Sequence, residues 1–125
     1  MTQNNRGKLR SDVGSASFER PIDLVHLARQ TLGDRSLEQE ILALYLKQSQ
    51  TLLNSIEASL DARQRADFAH TLKGSSRAVG AWQVASAAEA IEVSPRVSDA
   101  EKAIAALRTS VLAACSTIVE LQRPN

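Results

Sequence analysis

The stretch QRADFAHTLKGSSRAVG, residues 64–80, contains the pattern that decides the fold. At about 100° per residue, Phe68, Leu72 and Val79 fall within one narrow arc if the stretch is helical. Small side chains flank that arc, so a second helix can pack closely against it. The stretch therefore predicts a helix that enters a helical core and ends at Gly80, because glycine tolerates a left-handed turn.

His70 lies on the other side of this helix, about 160–200° from the apolar arc. Lys73 and Gly74 are its neighbours on the solvent side. Lys73 offers a mobile ammonium to phosphate oxygens, and Arg77 can pair with phosphate or with an acidic partner. Glycine at position 74 lowers the stability of the helix by about 1 kcal/mol relative to alanine. This loss is explained if a side chain there would block a partner's approach to the imidazole. The pattern favours a histidine that carries a phosphoryl group, although spacing alone fits a solvated surface histidine equally well.

Length, charge and aromatic content argue against a nucleic-acid-binding or membrane protein. The chain has 125 residues and a net charge of +1, which predicts one domain with a modest core and no bulk attraction to nucleic acid or anionic membranes. Aromatic residues make up 3%, too few for base-stacking platforms. We expect no membrane span and no secretory signal. The single Cys115 excludes an internal disulfide and indicates a cytoplasmic protein.

The organisation along the chain predicts an all-α protein. Residues 1–17 are polar and are expected to form a disordered N-terminal tail, and residues 18–125 are expected to form one helical bundle domain. A short helix follows Pro21, with Asp23 as its N-cap and Gly33 as its stop signal. We expect an antiparallel four-helix bundle with this short helix as an N-terminal cap. Its four long helices are predicted over residues 36–60, 64–79 and 81–93 and from a capping box at 98–101.

Apolar spacing predicts which side chains form the core. In the first long helix these are Leu37, Ile41, Leu44, Tyr45, Leu52, Ile56 and Leu60. In the last helix they are Ile104, Leu107, Val111, Ala114 or Cys115, Ile118 and Leu121. In the short helix they are Val25, Leu27 and Leu32, and His26 is interpreted as an ordinary surface residue.

Residues 69–92, AHTLKGSSRAVGAWQVASAAEAIE, resemble the histidine-containing phosphotransfer (HPt) domains of two-component phosphorelays. The family pattern is Ala-His-x-Leu-Lys-Gly, then two small residues, an apolar-Gly step and a second helix that ends in apolar-Glu. The resemblance implies that His70 is the phospho-acceptor, that Lys73 stabilises the phosphoryl group and that Gly74 gives the partner room. It places Glu92 where some family members orient the other imidazole nitrogen.

The resemblance also implies a function and partners. His70 would accept a phosphoryl group from a receiver-domain aspartate and pass it to another response-regulator receiver domain, in a relay supplied by a hybrid histidine kinase. The chain is expected to be a monomer and a phosphocarrier without its own ATP site or cofactor, with magnesium on the receiver. No metal site is expected. Small and basic residues of the expected docking face suit an acidic receiver pocket: Arg63, Ala66, Lys73, Gly74 and Arg77.

Two other interpretations stay open. The chain could be the phosphoacceptor fragment of a histidine kinase, which would be a dimer and would need an ATP-binding domain. It could also be a helical bundle that only binds partners, in which His70 is incidental and no phosphohistidine forms.

Overall fold

The computed structural model describes residues 20–93 and 97–124, apart from the side chains of residues 97–99. Its helices are α1 Leu24–Gln30, α2 Arg35–Ala58, α3 Ala62–Val79, α4 Trp82–Val93 and α5 Val97–Leu121. This described part contains no β-strand, which agrees with the predicted all-α class. The predicted tail, residues 1–17, lies outside the described residues.

Helices α2 to α5 form a four-helix bundle around one core. Each helix packs against the next along the chain, α5 returns to pack against α2, and α1 packs mainly against α3. Links of two or three residues join α2 to α3 and α3 to α4, and such short links make neighbouring helices antiparallel. The predicted bundle with a short N-terminal capping helix is therefore confirmed.

Aspartate caps set where the helices begin. Asp23 accepts a hydrogen bond from the backbone N–H of His26 at 3.1 Å, as predicted for the start of α1. Asp61 accepts one from the backbone N–H of Arg63 at 3.0 Å, so α3 begins at Ala62 rather than at the predicted residue 64. The carboxylate satisfies an amide that has no partner inside the helix, which stabilises the first turn.

The predicted core of α2 was partly wrong. Leu44 is 69% exposed, and Leu60 is 98% exposed because α2 ends at Ala58 and Leu60 lies in the link. Leu37 is also exposed, at 39%. Tyr45 and Ile56 are buried as predicted, and the face that enters the core is completed by Leu42, Ser49 and Leu53, at spacings of three and four.

The predicted core of α1 was also partly wrong. Leu27 is buried as expected, but Val25 is 58% exposed. Leu32 is 94% exposed, because it lies in the turn after α1 with a positive φ of 54°. Ile22, which precedes the helix, is buried in its place.

Helix α5 packs largely as predicted. Ile104 and Leu121 are half-buried, and the other predicted positions are buried: Leu107, Val111, Ala114, Cys115 and Ile118. The helix begins at Val97, and the side chains of the predicted capping box at its start lie outside the described ones. By length and composition alone, the segment Ala100–Leu121 is long and apolar enough to cross a membrane, a test that the core helix of a soluble protein also passes. Its buried side chains pack in the bundle core, as those of a core helix do.

Two polar contacts cross the otherwise apolar core. The Tyr45 hydroxyl lies 2.6 Å from Ser76 Oγ, which joins α2 to α3. Ser49 Oγ lies 3.6 Å from Cys115 Sγ, which joins α2 to α5. Burial raises the pKa of the Tyr45 hydroxyl well above its ordinary value, so the phenol stays neutral and can donate to Ser76.

Gly80 forms a tight joint between α1, α3 and α4. Its φ of +80° ends α3, and a Cβ there would lie 2.9 Å from the Asp23 carbonyl oxygen. The Asp23 amide donates to the Gly80 carbonyl at 2.9 Å, and the Trp82 indole N–H donates to the Asp23 carboxylate at 2.9 Å. His26 packs edge-on against Trp82 with ring centroids 4.8 Å apart. His26 is therefore part of this joint, and its interpretation as ordinary surface was wrong.

Candidate functional site

His70 projects into solvent from the middle of α3. Its side chain is 67% exposed, which confirms the predicted orientation. Phe68 is only half-buried, so the buried face of α3 is centred slightly away from the predicted arc. That face consists of Ala69, Leu72, Ser76 and Val79.

The imidazole of His70 is held from α4. Its Nδ1 lies 2.7 Å from Oε2 of Glu92, which is in the last turn of α4. An ionised carboxylate only accepts hydrogen bonds, so Nδ1 carries a proton, and in the neutral form of the ring the lone pair is on Nε2. The structure thus brings together the two residues that the resemblance placed on different helices, and Nε2 takes no part in this contact.

Lys73 binds the same carboxylate. Its Nζ lies 2.6 Å from Glu92 Oε1, and its side chain is only 15% exposed. The approach is off the direction of a well-formed hydrogen bond, so the contact is an ion pair governed mainly by charge. The Lys73 ammonium first, and the bond to His70 second, hold the pKa of the Glu92 carboxyl below its ordinary value. The sequence predicted a mobile ammonium, whereas here it is held.

Gly74 leaves an open space beside His70. It is exposed in the interior of α3, and a Cβ built there would meet no atom within 4 Å. Its backbone has no positive φ, so neither packing nor conformation requires glycine. The residue therefore weakens the helix without a structural reason of its own.

The other predicted docking residues line the exposed side of α3. Arg63 is exposed and Ala66 is half-buried, seven and four residues before His70 and so on its face. Arg77 is exposed and forms an ion pair with Glu89 of α4 at 3.4 Å. The structure places these side chains along the helix that carries His70, and no hydrogen bond or ion pair joins them to the imidazole.

A shallow apolar groove between α2 and α3 was missed by the sequence reasoning. Leu44 at its edge is 69% exposed, and Ala78 lies about 80° around α3 from His70. The signal was a leucine that cannot share one buried arc with Leu42 and Tyr45. The groove is lined by Ile41, Leu44, Tyr45, Gln48, Ser75, Ala78 and Val79.

Among the described residues, no group of three or more His, Cys, Asp or Glu side chains is arranged to hold a metal ion. The site is instead an imidazole, a carboxylate and an ammonium on two adjacent helices. Such a site can supply a nitrogen nucleophile and a cation for an anionic group.

Comparison with known proteins identifies the family. The model of the family described as Hpt domain matches residues 40–117, which include His70, Lys73 and Glu92. No curated protein and no solved structure gives a significant match. Because the family match spans more than half of the 125 residues, the chain belongs to the Hpt domain family, whose members are helical phosphotransfer modules of two-component signalling.

Proposed function

We propose that this protein accepts a phosphoryl group on Nε2 of His70 from the aspartyl phosphate of a receiver domain. It then passes the group to the aspartate of a second response-regulator receiver domain. Hpt domains are phosphocarriers that interact with receiver domains in phosphorelays. The observation that carries the proposal is the exposed imidazole whose Nδ1 lies on Glu92 at 2.7 Å, because this contact leaves the lone pair of Nε2 available.

The chemistry is a displacement at phosphorus. The Nε2 lone pair forms the N–P bond while the bond from phosphorus to the aspartate oxygen breaks, and the aspartate leaves as a carboxylate. The ring gains a positive charge when it attacks. Glu92 keeps the Nδ1 proton in its hydrogen bond and stabilises that charge. The same steps in reverse deliver the phosphoryl group to the second receiver.

Lys73 would stabilise the phosphoryl oxygens, and the receiver would supply the magnesium ion and most of the remaining electrostatic stabilisation. The chain would need no cofactor and no ATP site of its own, because a hybrid histidine kinase would supply the phosphoryl group through its receiver. We propose a cytoplasmic carrier that acts on proteins and not on nucleic acid or membranes. One chain carries every residue of the proposed site, so a monomer suffices for transfer.

The docking face would be the exposed side of α3. Gly74 leaves room for the receiver to approach His70, and Ala66 adds little bulk. Arg63 and Arg77 bring positive charge that suits the acidic pocket of a receiver. The apolar groove beside Leu44 continues this face toward α2 and offers a surface for apolar side chains of the partner.

The test uses both histidines of the chain. A panel of radiolabelled phospho-receivers is mixed with wild type, with His70→Gln and with His26→Gln, after circular dichroism has shown that each variant is folded. We expect label that is acid-labile and alkali-stable on wild type and on His26→Gln, and none on His70→Gln. Equal labelling of His70→Gln, or no labelling of the wild-type protein by any receiver, would refute the proposal.

A further inference from the structure

One carboxylate serves two partners in this site. Glu92 places Oε2 at 2.7 Å from His70 Nδ1 and Oε1 at 2.6 Å from Lys73 Nζ. With the ring neutral, the single negative charge of the carboxylate is balanced by the single positive charge of the ammonium. The lysine side chain is 15% exposed, whereas that of His70 is 67% exposed. The ammonium therefore lies on the Nδ1 side of the ring, turned away from solvent.

Phosphorylation changes this charge balance. A phosphoryl group on Nε2 adds close to two negative charges, as other protein phosphates do near neutral pH. A ring that keeps the Nδ1 proton becomes positively charged while it remains hydrogen-bonded to Glu92. The carboxylate then has a cation already in contact with it. Lys73 meanwhile faces a new and more highly charged anion on the same ring.

We propose that Glu92 exchanges its counterion when His70 is phosphorylated, pairing with Lys73 in the resting protein and with the charged imidazole afterwards. The exchange releases Lys73 to the phosphoryl oxygens. This inference rests on the proposed function and adds the state-dependent position of the lysine. Glu92 is thus a positioning residue for two groups, and Lys73 moves to the phosphoryl group as the N–P bond forms.

The geometry permits the exchange without moving a helix. Lys73 is three residues after His70 on α3, so both side chains project on neighbouring parts of one face. The Lys73 ammonium is carried by a flexible four-carbon side chain. Its contact with Glu92 is an ion pair that does not have the geometry of a hydrogen bond. A charge-dominated contact of this kind follows the larger charge, because Coulomb energy at equal distance scales with the charge of the partner.

The chain supplies a matched control one turn along the same two helices. Arg77 pairs with Glu89 at 3.4 Å, and both side chains are about half exposed, at 53% and 49%. This pair has no contact with the imidazole among the described residues. It should therefore respond little to the state of His70.

The experiment follows the side-chain nitrogens by NMR in uniformly ¹⁵N-labelled protein, before and after phosphorylation with phosphoramidate. In the resting protein we expect slowly exchanging Lys73 ammonium protons that are lost in Glu92→Gln and retained in Glu89→Gln. After phosphorylation we expect the Lys73 nitrogen to shift and to show coupling to phosphorus. The His70 Nδ1 proton should remain hydrogen-bonded to Glu92 in both states.

The outcomes separate the two proposals. If His70 is phosphorylated and Lys73 keeps its resting signal, the counterion exchange is wrong while the carrier function stands. If the resting Lys73 signal is the same in Glu92→Gln as in wild type, the exchange is again wrong. If neither phosphoramidate nor any phospho-receiver modifies His70, the proposed function fails, and the exchange fails with it.

Discussion

Gly74→Ala is expected to stabilise the protein, because Gly74 is inside α3 and a Cβ there would meet no atom within 4 Å. Glycine in a helix interior costs about 1 kcal/mol relative to alanine, and no contact in the structure offsets that cost. The free energy of unfolding should rise by about 1 kcal/mol. With a urea slope of about 1–2 kcal/mol/M, the midpoint should move up by about 0.5–1 M. Urea denaturation followed by far-UV circular dichroism measures this change.

Gly74→Gln should keep the helix and slow phosphotransfer. Glutamine is a good helix former, but its side chain would fill the space beside His70 that the receiver needs. Rapid-quench transfer from a phospho-receiver should be at least about tenfold slower, which corresponds to about 1.4 kcal/mol in the barrier. Ala106→Gln is the matched control, because Ala106 is exposed on α5, a helix that packs mainly against α2 and α4.

A second glycine checks the sign of the stability effect. Gly33 has open space around it but a φ of +78°, so Gly33→Ala should destabilise the protein by about 1 kcal/mol. A Gly74→Ala variant that is no more stable than wild type would contradict the predicted stabilisation. Equal transfer rates in Gly74→Gln and Ala106→Gln would contradict the role of Gly74 in docking.

Three further outcomes follow from the joint, the core and the site. Gly80→Ala should lower the free energy of unfolding, measured by urea denaturation, by about 2–4 kcal/mol, because it combines left-handed strain with a Cβ pressed against the Asp23 backbone. A smaller loss of stability than in Gly33→Ala would contradict this. Tyr45→Phe should lower the free energy of unfolding by about 1–3 kcal/mol, because it leaves the Ser76 hydroxyl unpaired. The double variant with Ser76→Ala should lose less stability than the sum of the two single variants. The Glu92 carboxyl, titrated by ¹³C NMR, should have a midpoint below its ordinary value of 4.5. Its ion pairs therefore stabilise the fold fully above that pH and are lost as the pH falls through the lowered pKa; a midpoint at or above 4.5 would contradict the contacts.

Local features of the sequence predicted much of the fold. The exposure of His70 and the end of α3 at Gly80 follow from helical period and from the conformational freedom of glycine, both of which lie within one segment. The N-cap at Asp23 depends on neighbouring residues in the same way. The core of α5 was predicted because Leu107, Val111 and Ile118 recur at helical spacing, although Leu112 and Val119 of the same helix are apolar and exposed.

Features that depend on how two helices align could not be predicted. The sequence predicted both Leu44 and Tyr45 as core residues, and the contact of Tyr45 with Ser76 depends on how α2 and α3 align. The ion pair between Glu92 and Lys73 depends on the register between α3 and α4. Periodicity along one helix carries no information about that register.

The turn at Gly80 limits how the sequence around the proposed site can change in evolution. His70 and Glu92 are only 22 positions apart in sequence, and the whole proposed site lies on the hairpin formed by α3 and α4. A single residue inserted into α4 before Glu92 would shift the carboxylate by about 100° around the helix and carry it away from the ring, so the spacing between Gly80 and Glu92 must be kept. The other helices cover the apolar side of the hairpin, and α2 also lines the proposed docking groove beside Leu44. The proposed reactive residues can therefore be passed on between proteins as one short unit, whereas the groove also requires α2.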